Sequence, residues 1–150
     1  MEVRAHGRDR SRLQFDGVVR PVPGDLSSLA DLPALTEAAA GCDAIVHCAA
    51  LSAPWGPRAA FVAANMVGTG NVLAAARAAR VRRIVHISTP AVLFDGRDQH
   101  RAGDDAPYAA RHTSEYARTK QIAEQLVLAA AGEFETVVLR PKAIYGAGDR

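Results

Sequence analysis

Tyr116 and Lys120 stand four residues apart in the stretch EYARTK. Four residues are about one helical turn, so in a helix the phenol and the ammonium share a face. An unperturbed phenol has a pKa of about 10 and is a poor base at neutral pH. A neighbouring ammonium favours the phenolate and lowers that value, which suits the pair to moving a proton to or from a substrate oxygen. The lysine is also rare: sixteen of the eighteen Lys and Arg residues are arginine, and Lys120 and Lys142 are the other two. Arginine serves a surface ion pair at least as well; lysine is the compact point charge that suits a place beside a titrating group. The pair alone is equally compatible with an amphipathic tyrosine on a core edge.

Other residues shift that balance. Thr89 ends the apolar run RRIVHIST (82–89), where a hydroxyl can point into a ligand crevice and fix the same substrate oxygen. A strand-end hydroxyl bonded to nearby backbone is the common alternative. Asn65 and Gly68, in NMVGTGN, each weaken a helix, so a hydrogen-bonding task or a close backbone approach is expected there. Asp25 follows Gly24 at a strand end and is also a candidate helix cap. His47 and His86 lie inside apolar runs and read as core histidines; neither has the companion motif of a metal site, and no metal is expected. Cys42 and Cys48 are six apart, a spacing of neither a metal knuckle nor a redox pair, and read as buried or half-buried thiols of a reducing cytoplasm. Trp55 either faces a substrate or seals the core.

The elements that must position these groups follow from pattern. DAIVHCAA (43–50), RRIVHIST (82–89) and ETVVLRP (135–141) are short, rich in Val and Ile, and not alternating. They read as strands of a parallel sheet buried on both faces. GVVRPV (17–22) and EVRAHGR (2–8) are weaker strands. Helices are expected over 29–40, stopping at Gly41, over 58–79, and over 114–131, capped by Thr113 or Ser114. The last turns Ile122, Ala123, Leu126, Val127 and Ala130 inward. Strands alternating with helices predict a doubly wound α/β fold, with ligands beyond the carboxyl ends of the strands. The segment 90–112 is a long charged loop, functional or mobile.

Length and composition bound the rest. The 150 residues, 49% hydrophobic, suffice for one domain. A net charge of +2 with interspersed signs, and no basic run interleaved with aromatics, argues against nucleic acid. No apolar stretch is expected to approach the ~20 residues of a membrane span, and the charged first residues lack the apolar region of a secretory signal.

With these residues assembled, the chain resembles the extended short-chain dehydrogenase/reductase family, which includes nucleotide-sugar epimerases and dehydratases and 3β-hydroxysteroid dehydrogenase-like reductases. GDL (24–26), IVHCAA (45–50), NMVGTGN (65–71), VRRIVHISTPAVLF (81–94), YARTK (116–120) and LRPKAIYGAGD (139–149) match its motifs in order. The pairing of STPAVLFDG with ALSAPWGP is most similar to the sterol or β-keto-acid dehydrogenase-like subgroup. The resemblance implies a Rossmann-like domain using NAD(P). It makes Tyr116 the general acid/base and Lys120 the group that lowers its pKa and holds the nicotinamide ribose. It makes Thr89 the residue that orients the substrate oxygen. Asn65 supports the cofactor side, Asp25 and Leu26 flank adenine, and Ala49, Ala50 and Leu51 run along the cofactor. Pro141 and Ile144 lie near the nicotinamide. Arg8 sits where a basic residue accompanies NADP, which is slightly favoured, although Asp9 stands beside it.

Two departures accompany the resemblance. The first strand and its Gly-x-x-Gly-x-x-Gly turn are not represented, and the missing strand belongs mid-sheet, so an exposed edge and poor solubility are expected. The carboxyl-terminal substrate region is also not represented. The implied function is hydride transfer between nicotinamide and a carbonyl or secondary alcohol of a small molecule. Epimerase or dehydratase chemistry, and a non-catalytic fragment, are the rivals. A homodimer through 58–79 and 114–131 is the oligomer the resemblance suggests.

Overall fold

A computed structural model of the chain describes residues 2–9, 11, 13, 19–99 and 102–146. Gly17 and Val18 of the expected strand 17–22, His100 and Arg101 of the long loop, and residues 147–149 of the last motif lie outside them. The elements run β1 (Val3–Gly7), β2 (Val19–Pro23), α1 (Leu32–Ala39), β3 (Ala44–His47), α2 (Arg58–Phe61), a π-helical segment (Val62–Val67), α3 (Gly68–Ala78), β4 (Arg83–Ile87), α4 (Glu115–Ala129) and β5 (Glu135–Leu139). Every strand pairing is parallel, as the βα alternation predicts.

The strands form two sheets, β1–β2 and β3–β4–β5. Among the described residues, β1 and β3 each keep one edge without a strand partner. That division falls where the resemblance places a strand that the sequence does not represent. The two parts are nonetheless tied together. Arg4 on β1 donates through Nη1 to the carbonyls of Ala38 (2.9 Å) and Ala40 (2.7 Å) at the end of α1. Asn71 on α3 donates through Nδ2 to Leu26 O at 2.7 Å. A Cβ on Gly68 would stand 3.3 Å from Leu26 Cβ, so this glycine permits the close approach of the 25–27 turn to the helix.

The core lies on one side of the three-stranded sheet. Ile45, Ile84 and Val138 pack with Ala39 of α1, Leu73 and Ala76 of α3, and Val127 and Ala130 of α4. The alternate residues, Val46, Val85, Ile87, Val137 and Leu139, form the other face, where Val46 is 61% exposed and Leu139 48%. The expectation of strands buried on both faces is therefore corrected. A run dense in Val and Ile has the same composition whether one face or both are covered.

Local signals placed the helices well. Ser114 Oγ accepts from Ala117 N at 3.1 Å and caps α4. Gly41, at φ +74°, follows α1 in the left-handed region that a helix stop favours. On α4 the buried face runs through Ala117, Lys120, Ala123, Glu124 and Val127, whereas Leu126 is exposed. The continuous helical run Arg58–Ala78 corrects another expectation: by length and composition alone it is long and apolar enough to cross a membrane. Half of its apolar window is buried within this fold, and its inward residues Phe61, Asn65, Thr69, Val72 and Leu73 are core.

Candidate active site

At the carboxyl ends of β3 and β4, hydrogen bonds tie Leu51 to Asn65, Asn65 to Thr119 of α4, and Lys120 of α4 to Ile87. Lys120 is buried and its ammonium points inward. Nζ donates to Ile87 O at 2.7 Å and lies 3.3 Å from His86 Nε2. Burial lowers its pKa to about 8, against the pull of the Glu124 and Cys48 charges. Tyr116 is half-buried, and its hydroxyl forms no hydrogen bond to Lys120, Thr89 or any other group among the described residues. Thr89 caps the short turn Pro90–Val92, its Oγ1 accepting from Ala91 N at 3.3 Å. This leaves its O–H proton uncommitted among the described residues.

Asn65 is fixed by four buried contacts. Its Oδ1 accepts from Leu51 N (2.7 Å), and its Nδ2 donates to Leu51 O (3.3 Å) and Thr119 Oγ1 (3.0 Å). Thr69 Oγ1 donates to Asn65 O at 2.6 Å. The π-helical segment that holds Asn65 thus joins the 49–51 strand end to α4, beside Lys120. A hydrogen-bonding task for Asn65 was legible; its partners lie 14 and 54 residues away and were not.

The remaining positions divide. Ala49 and Ala50 are exposed at the end of β3, with Leu51 half-buried. Asp25 Oδ1 accepts from Ser27 N (2.8 Å) and Ser27 Oγ (2.7 Å), and those bonds hold its pKa below the usual carboxylate value. Arg8 is exposed after β1, close enough to Asp25 for its charge to contribute. Pro141 is half-buried, and Ile144 is exposed. Trp55 is 82% exposed, so it does not seal the core. Cys48 is exposed and free, which corrects the reading of two buried or half-buried thiols. No group of three or more potential metal ligands occurs among the described residues.

One cluster was missed. Glu124 is fully buried and accepts from Tyr108 Oη (2.8 Å), Arg140 Nη2 (2.5 Å) and Ser88 Oγ. Burial alone would raise its pKa, but the bonds from Arg140, Ser88 and Tyr108 outweigh that and hold it low. Through Tyr108, and through Arg140 Nη1 on Asp104 O (3.2 Å), the cluster pins the long 90–112 segment against the sheet. The signal was a carboxylate on the inward face of α4, at i+4 from Lys120. Ser88 is consumed here, whereas the Thr89 hydroxyl proton is uncommitted among the described residues.

The donor set suits one end of a dinucleotide better than the middle. The Lys120 ammonium is a donor that would suit a ribose hydroxyl or a carbonyl oxygen. No Gly-x-x-Gly-x-x-Gly occurs in the sequence, so the described residues offer no such amide cradle for a diphosphate.

Comparison with known proteins converges on one family. The profile of the 3-beta hydroxysteroid dehydrogenase/isomerase family matches residues 3–150. A 4-hydroxy-2-methyl-3-oxo-4-farnesyl-3,4-dihydroquinoline-1-oxide ketoreductase of Stigmatella aurantiaca is 48% identical over 83% of this chain and 37% of its own length. A 2-alkyl-3-oxoalkanoate reductase of Stenotrophomonas maltophilia is 42% identical over 92% of this chain and 42% of its own. The chain thus spans less than half the length of these curated relatives. Among solved structures, a short-chain dehydrogenase/reductase superfamily protein from Agrobacterium tumefaciens with bound NAD superposes with TM-score 0.76 at 34% identity, over 92% of this chain and 40% of that one. MoeE5 in complex with UDP-glucuronic acid and NAD gives 0.79 at 31%, over 99% and 49%.

Proposed function

The chain belongs to the 3-beta hydroxysteroid dehydrogenase/isomerase family, and on that premise we propose that it carries the proton-transfer half of an NAD(P)-dependent oxidoreductase site. The observation that carries the reading is the Lys120 Nζ–Ile87 O hydrogen bond of 2.7 Å. It anchors the ammonium against the strand end that bears Thr89, one helical turn from Tyr116. Thr89 donates to the substrate oxygen and holds it. Tyr116 Oη delivers a proton to that oxygen during reduction and takes it back during oxidation. Lys120 stabilises the phenolate left behind and offers a donor to the ribose. Bound nicotinamide supplies or accepts the hydride at the adjoining carbon.

The relatives' names support a substrate class. A 2-alkyl-3-oxoalkanoate bears its oxo group β to a carboxylate. A sterol-4-alpha-carboxylate 3-dehydrogenase, 36% identical in Candida albicans, acts at a carbon β to a carboxylate. We therefore assign a β-oxo or β-hydroxy carboxylate as the substrate class. Exposed Arg8 after β1 favours NADP over NAD. Likeness to a dTDP-glucose 4,6-dehydratase structure (TM-score 0.80, 26% identity) supports nucleotide-sugar chemistry as the second reading. Exposed Val67, Leu126 and Leu128 on the long helices support a dimer, which a monomeric sedimentation coefficient would exclude.

The test is reduction of a 2-alkyl-3-oxoalkanoate followed by nicotinamide absorbance. NADPH is expected to outperform NADH, and Arg8→Glu to narrow that preference. Tyr116→Phe is expected to lower kcat at least ~100-fold. Turnover unaffected by Tyr116→Phe would remove the mechanism.

A further inference from the structure

Beneath the proposed proton-transfer pair lies a buried group that the mechanism above does not use. His86 on β4 has no exposed surface, and His47, its register partner on β3, is also buried. Their ring centroids are 5.2 Å apart. Hydrogen-bond arithmetic assigns both tautomers. Thr69 Oγ1 has one proton and donates it to Asn65 O, a carbonyl that can only accept. His47 Nε2, 2.9 Å from that oxygen, must then be the donor. Nε2 of His47 therefore carries a proton, and burial, which lowers its pKa to about 4, keeps the ring neutral near pH 7.

His86 is the opposite case. An ammonium has donors and no acceptor, so the 3.3 Å contact with Lys120 Nζ requires a bare Nε2. The proton of a neutral His86 then sits on Nδ1, which is buried and has no partner. An unpartnered buried N–H costs free energy, and an aliphatic side chain, such as Ile84 two residues earlier on the same face, would avoid that cost. Packing alone therefore does not account for an imidazole at this position.

We propose that His86 is a positioning residue that, as the Nδ1–H tautomer, accepts one N–H of Lys120, so that with Ile87 O it commits two of the three ammonium donors inward and leaves the third for the crevice. The inference rests on the role given to Lys120 above. Among the described residues, the titratable groups acting on this contact are Glu124 from α4 and His47 and Cys48 from β3 and its end. Burial, then the Lys120 charge, press the His86 pKa down to about 3, consistent with an imidazole that stays neutral beside an ammonium.

The test uses the cofactor-free 150-residue chain with labelled histidine ring nitrogens and labelled lysine ε-carbons. Two lysines give two signals, assigned by Lys142→Arg. The wild type is expected to show His86 with Nδ1 protonated and Nε2 bare from pH 5 to 8, and Lys120 titrating near pH 8. His86→Val removes the acceptor and is expected to lower the Lys120 midpoint by about one pH unit, tenfold in acid constant. His86→Gln, whose amide oxygen accepts, is expected to restore most of that shift. A protonated Nε2 on His86, or a Lys120 midpoint unmoved by His86→Val, overturns the proposal. If His86→Val does not fold, the wild-type tautomer decides alone. These readouts need no cofactor, so a chain that passes them but binds no nicotinamide nucleotide would sink the function proposed above and leave the lysine–histidine contact standing.

Discussion

The two faces of the β3–β4–β5 sheet both carry branched apolar residues but differ in what covers them. On the helix-covered face, Ile84 and His86 have no exposed surface, and the buried groups Lys120, Glu124 and Asn65 each have hydrogen-bond partners. On the open face, Val46 and Leu139 meet solvent, and neither packs into the main core cluster. Buried polar contacts and the main core are therefore concentrated on one side, while the other is a more exposed apolar surface. Branched strand residues supply pairing on both faces, but only an apposed helix converts them into a core.

The largest expected contrast is a pair of truncations. Ile84→Ala on the covered face is expected to cost about 4 kcal/mol in denaturant unfolding, from lost transfer energy and an unfilled cavity. Val46→Ala on the open face is expected to cost under about 1 kcal/mol. Similar losses at both positions would mean that the open face is covered in solution. Next comes the buried acid. Glu124→Gln is expected to cost about 3 kcal/mol, because Arg140 loses its partner with a side chain only 17% exposed. It should also speed hydrogen exchange around Tyr108, and an unchanged midpoint would count against the cluster as an anchor.

The smallest effect is spread over pH. His47 and His86 are pressed down to about 4 and about 3, below the ordinary value of 6.5, chiefly by burial. Between pH 6.5 and 4 the unfolded chain binds protons that the folded chain does not. Stability is thus fully present above pH 6.5 and falls as pH drops, by up to ~1.4 kcal/mol per pH unit for each histidine. Lys120 acts at the other end: with a folded value of about 8 against 10.5, stability rises with pH across that interval. Flat stability between pH 6.5 and 4 would show that the two imidazoles are not held neutral in the core.

Much of this was legible in the sequence because it is local. β-branched density located the strands to within a few residues, Ser114 and Gly41 marked helix limits, and the Tyr116–Lys120 spacing marked the pair. Asn65 and Gly68 stood out as poor helix formers, and both turned out to have tasks, one a hydrogen-bond hub and the other a close approach to Leu26. What stayed hidden is set by long-range contact. Lys120 and His86 are 34 residues apart, so nothing near Lys120 in the chain announced that its ammonium would turn inward. Glu124 gathers Ser88, Tyr108 and Arg140 from three separate segments. Which face of the sheet is covered depends on where the crossovers pass, and strand composition does not record that.

We propose that the carboxyl ends of β3 and β4 receive the nicotinamide end of a dinucleotide. Backbone amide shifts recorded while NADPH is added test it most directly. Shifts are expected to concentrate at residues 49–51, Thr89, Tyr116 and Lys120, with affinity weakened by Lys120→Ala. Shifts confined to the opposite end of the sheet, or none at millimolar NADPH, would contradict it.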